Sequence, residues 1–176
     1  MRGLALSVTM LLAVMALAAC GSSAPPGAQA TAAAPSTTEV PPQLAVPAGQ
    51  RAVLTATVER GSQIYACHAG AWVLKQPAAA LTAPTTAVLH DAGPRWTATA
   101  DGSSVTGAQV ASVPVPGSAA DLLVRATGHD GQGVMATVDF VQRLGVQGGA
   151  PPAGACTEGA QQAVGYTAEY RFYAPG

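Results

Sequence analysis

Apolar and polar residues alternate in short segments along most of the chain beyond residue 43. Residues 51–58 alternate small or apolar side chains with threonine, and residues 166–173 place three aromatic rings on one face and charged groups on the other. A period of two is typical of strands with one buried face. Further strands are predicted at residues 62–67, 71–75, 86–90, 96–100, 103–113, 121–127 and 133–144. The pattern therefore predicts an all-β structure.

Turn-forming residues separate the predicted strands. A turn is expected at residues 59–61, Pro77 is expected to end the strand before it, and residues 128–132 connect another pair. Asp101 and Gly102 form a strong hairpin signal. About eight or nine short antiparallel strands without a long helical pattern predict a β-sandwich or a partly closed barrel.

The first 19 residues have the pattern of a secretory signal peptide. Arg2 precedes an apolar run at residues 4–17, which is shorter than the roughly 20 residues that a membrane-spanning helix requires. The string LAAC at residues 17–20 resembles the lipobox of bacterial lipoproteins, in which the cysteine is lipidated and becomes the mature N-terminus. The alternative is ordinary cleavage upstream, which would leave a free thiol at Cys20. A lipidated Cys20 predicts attachment to the extracytoplasmic face of a cell membrane or outer envelope.

The composition changes after the signal peptide. Residues 20–43 are rich in alanine, proline, serine and threonine, with Glu39 as their one charged residue, and predict a disordered tether behind the lipidated cysteine. Residues 44–176 have the length of one domain with one core. The predicted organisation is a signal peptide at 1–19, a tether at 20–43 and a single all-β domain at 44–176.

Charge argues against a nucleic-acid partner. Charged residues make up 10% of the chain, and removal of Arg2 leaves seven basic against nine acidic residues, with no basic cluster. Binding to phosphates requires a concentrated basic surface. We therefore expect no nucleic-acid partner.

Two cysteines remain once Cys20 is assigned to lipid. In an oxidising compartment the default expectation is a disulfide between Cys67 and Cys156. The alternative is a pair of buried, unreactive thiols. A zinc site is disfavoured because neither cysteine belongs to a paired Cys-x-x-Cys motif.

Several fragments follow one another in a characteristic order along the predicted domain. They are GSQIYAC at residues 61–67, WVL at 72–74, HDAGPRW at 90–96, DGS at 101–103, VQRL at 141–144, GGAP at 148–151 and YTAEYRFY at 166–173. In these fragments the chain resembles the secreted bacterial and fungal family known as domain of unknown function 3455. The resemblance covers essentially all of residues 44–173, with departures at 119–123 and 143–146. It implies an extracytoplasmic location and the family's fold, and it brings no established activity.

Some fungal members of that family carry a malate dehydrogenase label, so a dinucleotide site has to be considered. Residues 131–136 fit the letters G-x-G-x-x-A. The fingerprint binds pyrophosphate only where its glycines open a helix, whereas residues 134–141 alternate like a strand. We therefore expect no nicotinamide site and no other cofactor.

The stretch HDAGPRWTATADGSSV at residues 90–105 holds the main candidate residues. His90, Trp96 and Asp101, together with Trp72, are candidate ligand-binding residues. The alternative is a plain hairpin in which the tryptophans belong to the core and the histidine bonds to a turn. Ser103 beside His90 and Asp101 lacks the Gly-x-Ser-x-Gly elbow of a serine hydrolase. No catalytic residue and no metal ligand is assigned.

Three function classes are compatible with the sequence. The leading hypothesis is a non-catalytic envelope module that binds a wall polymer, a small ligand or a protein partner and is held at the membrane through Cys20. A structural or assembly lipoprotein is the second class. An envelope enzyme that uses His90 with a neighbouring carboxylate is the third.

Overall fold

Eight antiparallel strands form one sheet that closes on itself in the computed structural model, which describes residues 38–176. The strands are β1 (Gln50–His68), β2 (Ala71–Thr82), β3 (Ala87–Asp91), β4 (Arg95–Ala98), β5 (Ser104–Val113), β6 (Asp121–Asp130), β7 (Phe140–Gly148) and β8 (Gln161–Pro175). Each strand pairs with the next along the chain, and β8 pairs back with β1. The all-β prediction is confirmed, and of its two architectures the molecule adopts the barrel, with the ring of strands complete. The signal peptide, Cys20 and the tether as far as residue 37 lie outside the described residues.

The interior of the barrel holds the main hydrophobic core. Alternate residues of the strands point inward, as the period-two pattern predicts. On β8 the predicted aromatic face is confirmed, because Tyr166, Tyr170 and Phe172 are all buried in this core. Across the barrel Trp96 is 2% exposed and packs edge-to-face on Phe172, with ring centroids 6.3 Å apart. The aromatic side chains of β4 and β8 therefore connect opposite walls of the barrel.

A smaller hydrophobic cluster lies on the outer face, where the segment before β1 crosses the sheet. One turn of 3-10 helix, Pro42–Leu44, buries Leu44 completely against Leu123 and Leu144. The carbonyl oxygen of Leu44 also accepts a hydrogen bond from Gln142 Nε2 at 2.6 Å. The contacts make the chain from about residue 40 onward part of the packed structure. Within the described residues, no helix is long and apolar enough to cross a membrane.

Two predicted strand ends are wrong, because β1 and β2 are longer than the local sequence indicates. β1 continues through the expected turn at residues 59–61, where a register shift against β2 between Val58 and Arg60 marks a β-bulge rather than a reversal. β2 continues past Pro77, whose missing N–H is tolerated because β3 pairs only with residues 79–82 of β2. The extra length of both strands forms one wall around an end of the barrel.

The opposite end is covered by the connection from β6 to β7. Residues 131–139 form turns instead of the strand expected at 133–144, and β7 begins at Phe140. Met135 and Val138 in this connection are fully buried in the main core. The apolar residues that produced the strand pattern thus cap the core rather than pair with a neighbour. We call this the closed end of the barrel and the other the open end.

A disulfide joins Cys67 and Cys156, as predicted. The Cα atoms are 5.7 Å apart and the two residues are separated by 89 positions in the sequence. The bond joins the C-terminal end of β1 to the connection between β7 and β8 at the open end. The alternative of two buried free thiols is therefore wrong.

Candidate functional site

The candidate site is a cavity of about 280 Å³ at the open end of the barrel. Its floor consists of five buried side chains, and its apolar wall lies on β6 and β7. The floor residues are Gln63, His90, Trp96, Arg143 and Tyr170. The wall residues are Leu122, Val124 and Val141, and the exposed rim residues are Leu74, Lys75, Gly93 and Gln109. Strands from every part of the barrel therefore contribute to the site.

The β3–β4 hairpin supplies two floor residues. His90 and Trp96 are cross-strand partners, and their rings stack with centroids 4.5 Å apart and an interplanar angle of 4°. The ring of Tyr170 contacts His90 edge-on at 5.5 Å. Gly93 in the connecting turn has a φ of 111°, a conformation that glycine adopts without strain. The tight turn keeps the two rings in register, so the histidine and the tryptophan that the sequence singled out lie together in one site.

Burial keeps His90 uncharged. The side chain is 4% exposed, and this burial lowers the pKa of His90 to about 4. The hydrogen bond to the carbonyl of Arg95 opposes the effect, while the positive charge of Arg143 adds to it. His90 Nδ1 lies 2.9 Å from that carbonyl oxygen, which can only accept, so Nδ1 carries the proton. The neutral ring therefore leaves Nε2 as a hydrogen-bond acceptor.

Arg143 is the one charged group in the floor. It lies on β7 and is 9% exposed. Its Nε and Nη2 atoms donate to the carbonyl oxygen of Ala120 at 3.1 and 2.6 Å. Among the described residues it forms no ion pair with a carboxylate; the arginines that do are Arg95 and Arg171. The guanidinium is thus oriented by the carbonyl of Ala120. It also interacts with the Tyr170 hydroxyl, where a hydrogen bond opposes the rise in the pKa of that phenol. An arginine has five donor N–H groups, so further acceptors can still bind to it.

The phenols around this arginine stay protonated. Burial raises the pKa of Tyr65 and of Tyr170, and the positive charge of Arg143 opposes the rise at both. Burial also raises the pKa of Tyr166, whose hydroxyl lies 3.1 Å from that of Tyr170. The cavity is accordingly lined by one neutral phenol, Tyr170, and a neutral imidazole beside a single buried cation.

Two buried donors in the floor have no partner. Gln63 Nε2 and Trp96 Nε1 are both inaccessible to solvent and form no hydrogen bond within the described part of the chain. Gln63 is 1% exposed, so its amide cannot turn to bulk water. Leaving a buried N–H unpaired costs about 1–3 kcal/mol, and native proteins rarely tolerate it without cause. The two donors belong to residues that line the cavity, although the nitrogen atoms themselves are closed to water in this structure.

Asp101 and Ser103 lie away from the cavity, at the closed end. The Asp101 carboxylate accepts hydrogen bonds from the backbone N–H and the hydroxyl of Ser103, at 2.8 and 2.6 Å, and from the N–H of Val134 at 3.0 Å. Ser103 Oγ in turn accepts from the N–H of Met135 at 3.1 Å. The two side chains hold the cap of the barrel in place, and they form no triad with His90, whose Nδ1 faces a carbonyl.

Trp72 is also outside the cavity. It pairs with Cys67 at the start of β2 and is half-buried beside the disulfide. Within residues 38–176, no group of three or more His, Cys, Asp or Glu side chains is placed to hold a metal ion. Of the four candidate residues, the structure therefore brings His90 and Trp96 into the cavity and leaves Asp101 and Trp72 elsewhere.

Sequence reasoning missed Gln63, Arg143 and Tyr170 as site residues. Arg143 shares a face of β7 with Val141, and an arginine at an inward position is an available signal. The signal is weak because Leu144 on the other face is buried as well, under the segment that precedes β1. A strand buried on both faces loses the alternation that would separate the inward from the outward positions.

Comparison with known proteins gives one match. A family model described as "Protein of unknown function (DUF3455)" matches residues 84–174, which is more than half of the chain. The matched part begins between β2 and β3, so it includes four floor residues and leaves out Gln63. No curated protein and no solved structure gives a significant match.

Proposed function

The chain belongs to the family known as domain of unknown function 3455, and we propose that it is a non-catalytic module that binds a small ligand at the open end of its barrel. The observation that carries the proposal is the cavity of about 280 Å³, in which buried polar groups and apolar side chains converge. Small-molecule sites are typically concave and mostly apolar, with a few placed polar groups, and the mouths of barrels are a common location. Of the wall polymer, small ligand and protein partner considered from the sequence, the geometry favours the small ligand.

The state of His90 supports binding rather than proton transfer. Its Nδ1–H is committed to the carbonyl of Arg95, and with a pKa of about 4 the ring does not change charge near neutral pH. General acid–base catalysis works best with a group that titrates near the operating pH. A neutral ring held by the stacked indole of Trp96 is instead suited to form part of the lining of a binding site.

The proposal places this module in the cell envelope, held by a lipid at Cys20. Support comes from the signal peptide and lipobox in the sequence, which lie outside the described residues. The Cys67–Cys156 disulfide agrees with this location, because such bonds persist in oxidising compartments and are rare in the cytosol. Intact-mass analysis of the membrane-extracted protein tests the anchor, since an unmodified Cys20 would contradict it.

Ligand binding in the cavity is tested by blocking it. The purified full-length chain is titrated by calorimetry with a panel of neutral, cationic and anionic compounds that have one aromatic ring or a short aliphatic chain. We expect at least one to bind saturably and to lose its binding in Leu122→Trp, which places an indole in the cavity. Leu89→Trp is the matched control, because Leu89 is 48% exposed and lies outside the cavity.

Two results would contradict this function. Binding that persists in Leu122→Trp would place the ligand elsewhere on the molecule. Absence of binding by the whole panel would favour the structural or assembly lipoprotein, for which no small ligand is expected to raise the stability of the fold.

A further inference from the structure

We propose that the ligand is a small organic anion, a carboxylate on a single ring or short apolar chain, and that Arg143 is its counter-ion. The inference rests on the proposed function, since it requires that the cavity binds a small ligand. It adds the chemical class of that ligand and the residue that selects it.

The charge of Arg143 is not balanced by any carboxylate among the described residues. A guanidinium that is 9% exposed has lost most of its hydration, and two neutral groups, the carbonyl of Ala120 and the hydroxyl of Tyr170, return only part of it. Buried charges in proteins are generally paired, because an uncompensated one costs several kcal/mol. A carboxylate matches the planar fork of an arginine with two parallel hydrogen bonds. An anion in the cavity would therefore supply the partner that the described chain does not.

The lining of the cavity as a whole carries positive charge. Besides Arg143 in the floor, Lys75 stands at the rim, and no aspartate or glutamate lines the cavity. The chain as a whole carries a formal net charge of −1, so this positive region is local and not a general property of the surface. A recessed positive site with apolar walls concentrates the field on a ligand of opposite charge.

The floor residues also carry hydrogen-bond donors that have no acceptor within the described part of the chain. Gln63 Nε2 on β1 and Trp96 Nε1 on β4 are the unpaired donors of the floor, and Arg143 on β7 adds further N–H groups. An ionised carboxylate accepts only, and its two oxygens offer about four acceptor positions. A ligand with that chemistry can pair with the N–H groups of Arg143, whereas an amine or ammonium group would satisfy none of these donors.

Volume and wall chemistry limit the rest of the ligand. An apolar cavity of roughly 150 Å³ accepts benzene, and drug-sized ligands occupy roughly 300–1,000 Å³. At about 280 Å³ the cavity therefore fits one ring with a short substituent, or a short aliphatic chain. The apolar wall of Leu122, Val124 and Val141 would remain uncovered by inorganic phosphate or sulfate, so an organic anion is the better fit.

A matched pair of ligands tests the inference on the unmodified chain. Phenylacetate and phenylacetamide have nearly the same shape and differ in charge. Calorimetric titration of the purified full-length chain at neutral pH is expected to give at least about tenfold tighter binding of phenylacetate, since charge-assisted hydrogen bonds exceed neutral ones. Inorganic phosphate is expected to compete weakly or not at all, because it leaves the wall uncovered.

Arginine variants locate the selectivity. Arg143→Met keeps the length of the side chain without its charge and is expected to bind the acid and the amide with equal affinity, whereas Arg143→Lys retains part of the preference. Arg125→Met is the control, because Arg125 is exposed on β6 and lies outside the cavity. If Arg143→Met fails to fold, the difference in affinity between phenylacetate and phenylacetamide on the unmodified chain still tests whether the cavity selects an anion.

The possible results distinguish a failure of the anion inference from a failure of the proposed small-ligand function. Equal affinity for acid and amide, or a preference that survives in Arg143→Met, overturns the anion inference and leaves the small-ligand function intact. Binding of only cationic or neutral compounds, blocked by Leu122→Trp, does the same. If no compound of the wider panel binds, both the function and the inference fail.

Discussion

His90 is a titratable side chain that the barrel keeps neutral. It stacks on Trp96 and contacts the ring of Tyr170 edge-on, and its Nδ1–H donates a hydrogen bond to the carbonyl of Arg95. Protonation would place a second positive charge beside Arg143 in a region with little water. Burial is the main reason that the pKa falls to about 4, and the charge of Arg143 acts in the same direction.

Stability is therefore expected to fall in weak acid. An unfolded histidine titrates near pH 6.5, so between about pH 6.5 and pH 4 the unfolded chain binds a proton that the folded chain rejects. The free energy of unfolding should drop by about 3 kcal/mol over this range through His90 alone. Urea unfolding at a series of pH values measures this drop in the free energy of unfolding. In His90→Gln the free energy of unfolding is expected to depend less steeply on pH. His68→Gln is the control, since the side chain of His68 is 81% exposed; equal slopes in all three proteins would refute the assignment.

Among the connecting elements, the β6–β7 cap and the β4–β5 turn both donate hydrogen bonds to one exposed carboxylate, Asp101. Asp101 binds the N–H of Val134 in the cap and both N–H and hydroxyl of Ser103 in the β4–β5 turn. These hydrogen bonds, led by that from the Ser103 hydroxyl, lower the pKa of Asp101. Two connections that are distant in sequence are thereby fastened to each other at the closed end.

Asp101→Ala is expected to loosen the cap without unfolding the strands. The amide of Val134 loses its acceptor, so its hydrogen exchange should accelerate by about tenfold or more while amides in the middle of β1 and β8 keep their protection. Asp91→Ala is the matched control, because Asp91 is an exposed aspartate in the β3–β4 hairpin at the other end. Unchanged exchange at Val134 in Asp101→Ala would show that the buried apolar residues and the remaining hydrogen bonds, at Met135 and Val138, hold the cap without Asp101.

Local sequence patterns predicted β8 and the β3–β4 hairpin correctly and failed at the middle of β1 and in the β6–β7 cap. Period-two alternation identified the inward face of β8, and local turn chemistry identified the hairpin that unites His90 with Trp96. The same local rules failed at residues 59–61, where pairing on both sides of β1 carries the strand through a bulge, and in the cap, where burial of Met135 replaces strand pairing.

The remainder of the site depends on closure of the ring. Gln63, Arg143 and Tyr170 reach one cavity only because β8 pairs with β1, a contact between strands more than 90 positions apart in the sequence. A single sequence contains no local signal for that pairing. His90 and Trp96, the floor residues of the β3–β4 hairpin, were therefore predictable from the sequence. The other floor residues, including the charged Arg143, were not.

For the whole molecule, the disulfide is expected to matter more through the unfolded chain than through local contacts. It spans 89 positions, and the chain-entropy model assigns such a loop about 4 to 5 kcal/mol. Replacing Cys67 and Cys156 together by serine should lower the free energy of unfolding by about 2–5 kcal/mol in guanidinium titrations. Reduction of the unmodified chain should give the same loss, and a change below about 1 kcal/mol would contradict this account.

The cap at the closed end also determines how the cavity exchanges its contents. Within residues 38–176, Met135 and Val138 fill the barrel below the core, so a ligand leaves by the same opening through which it arrives. With one shared route, a change at the rim that slows arrival slows departure by an equal factor. A substitution at the rim, at Leu74 or Gln109, would then alter residence time with no change in the dissociation constant wherever the new side chain makes no contact with the bound ligand.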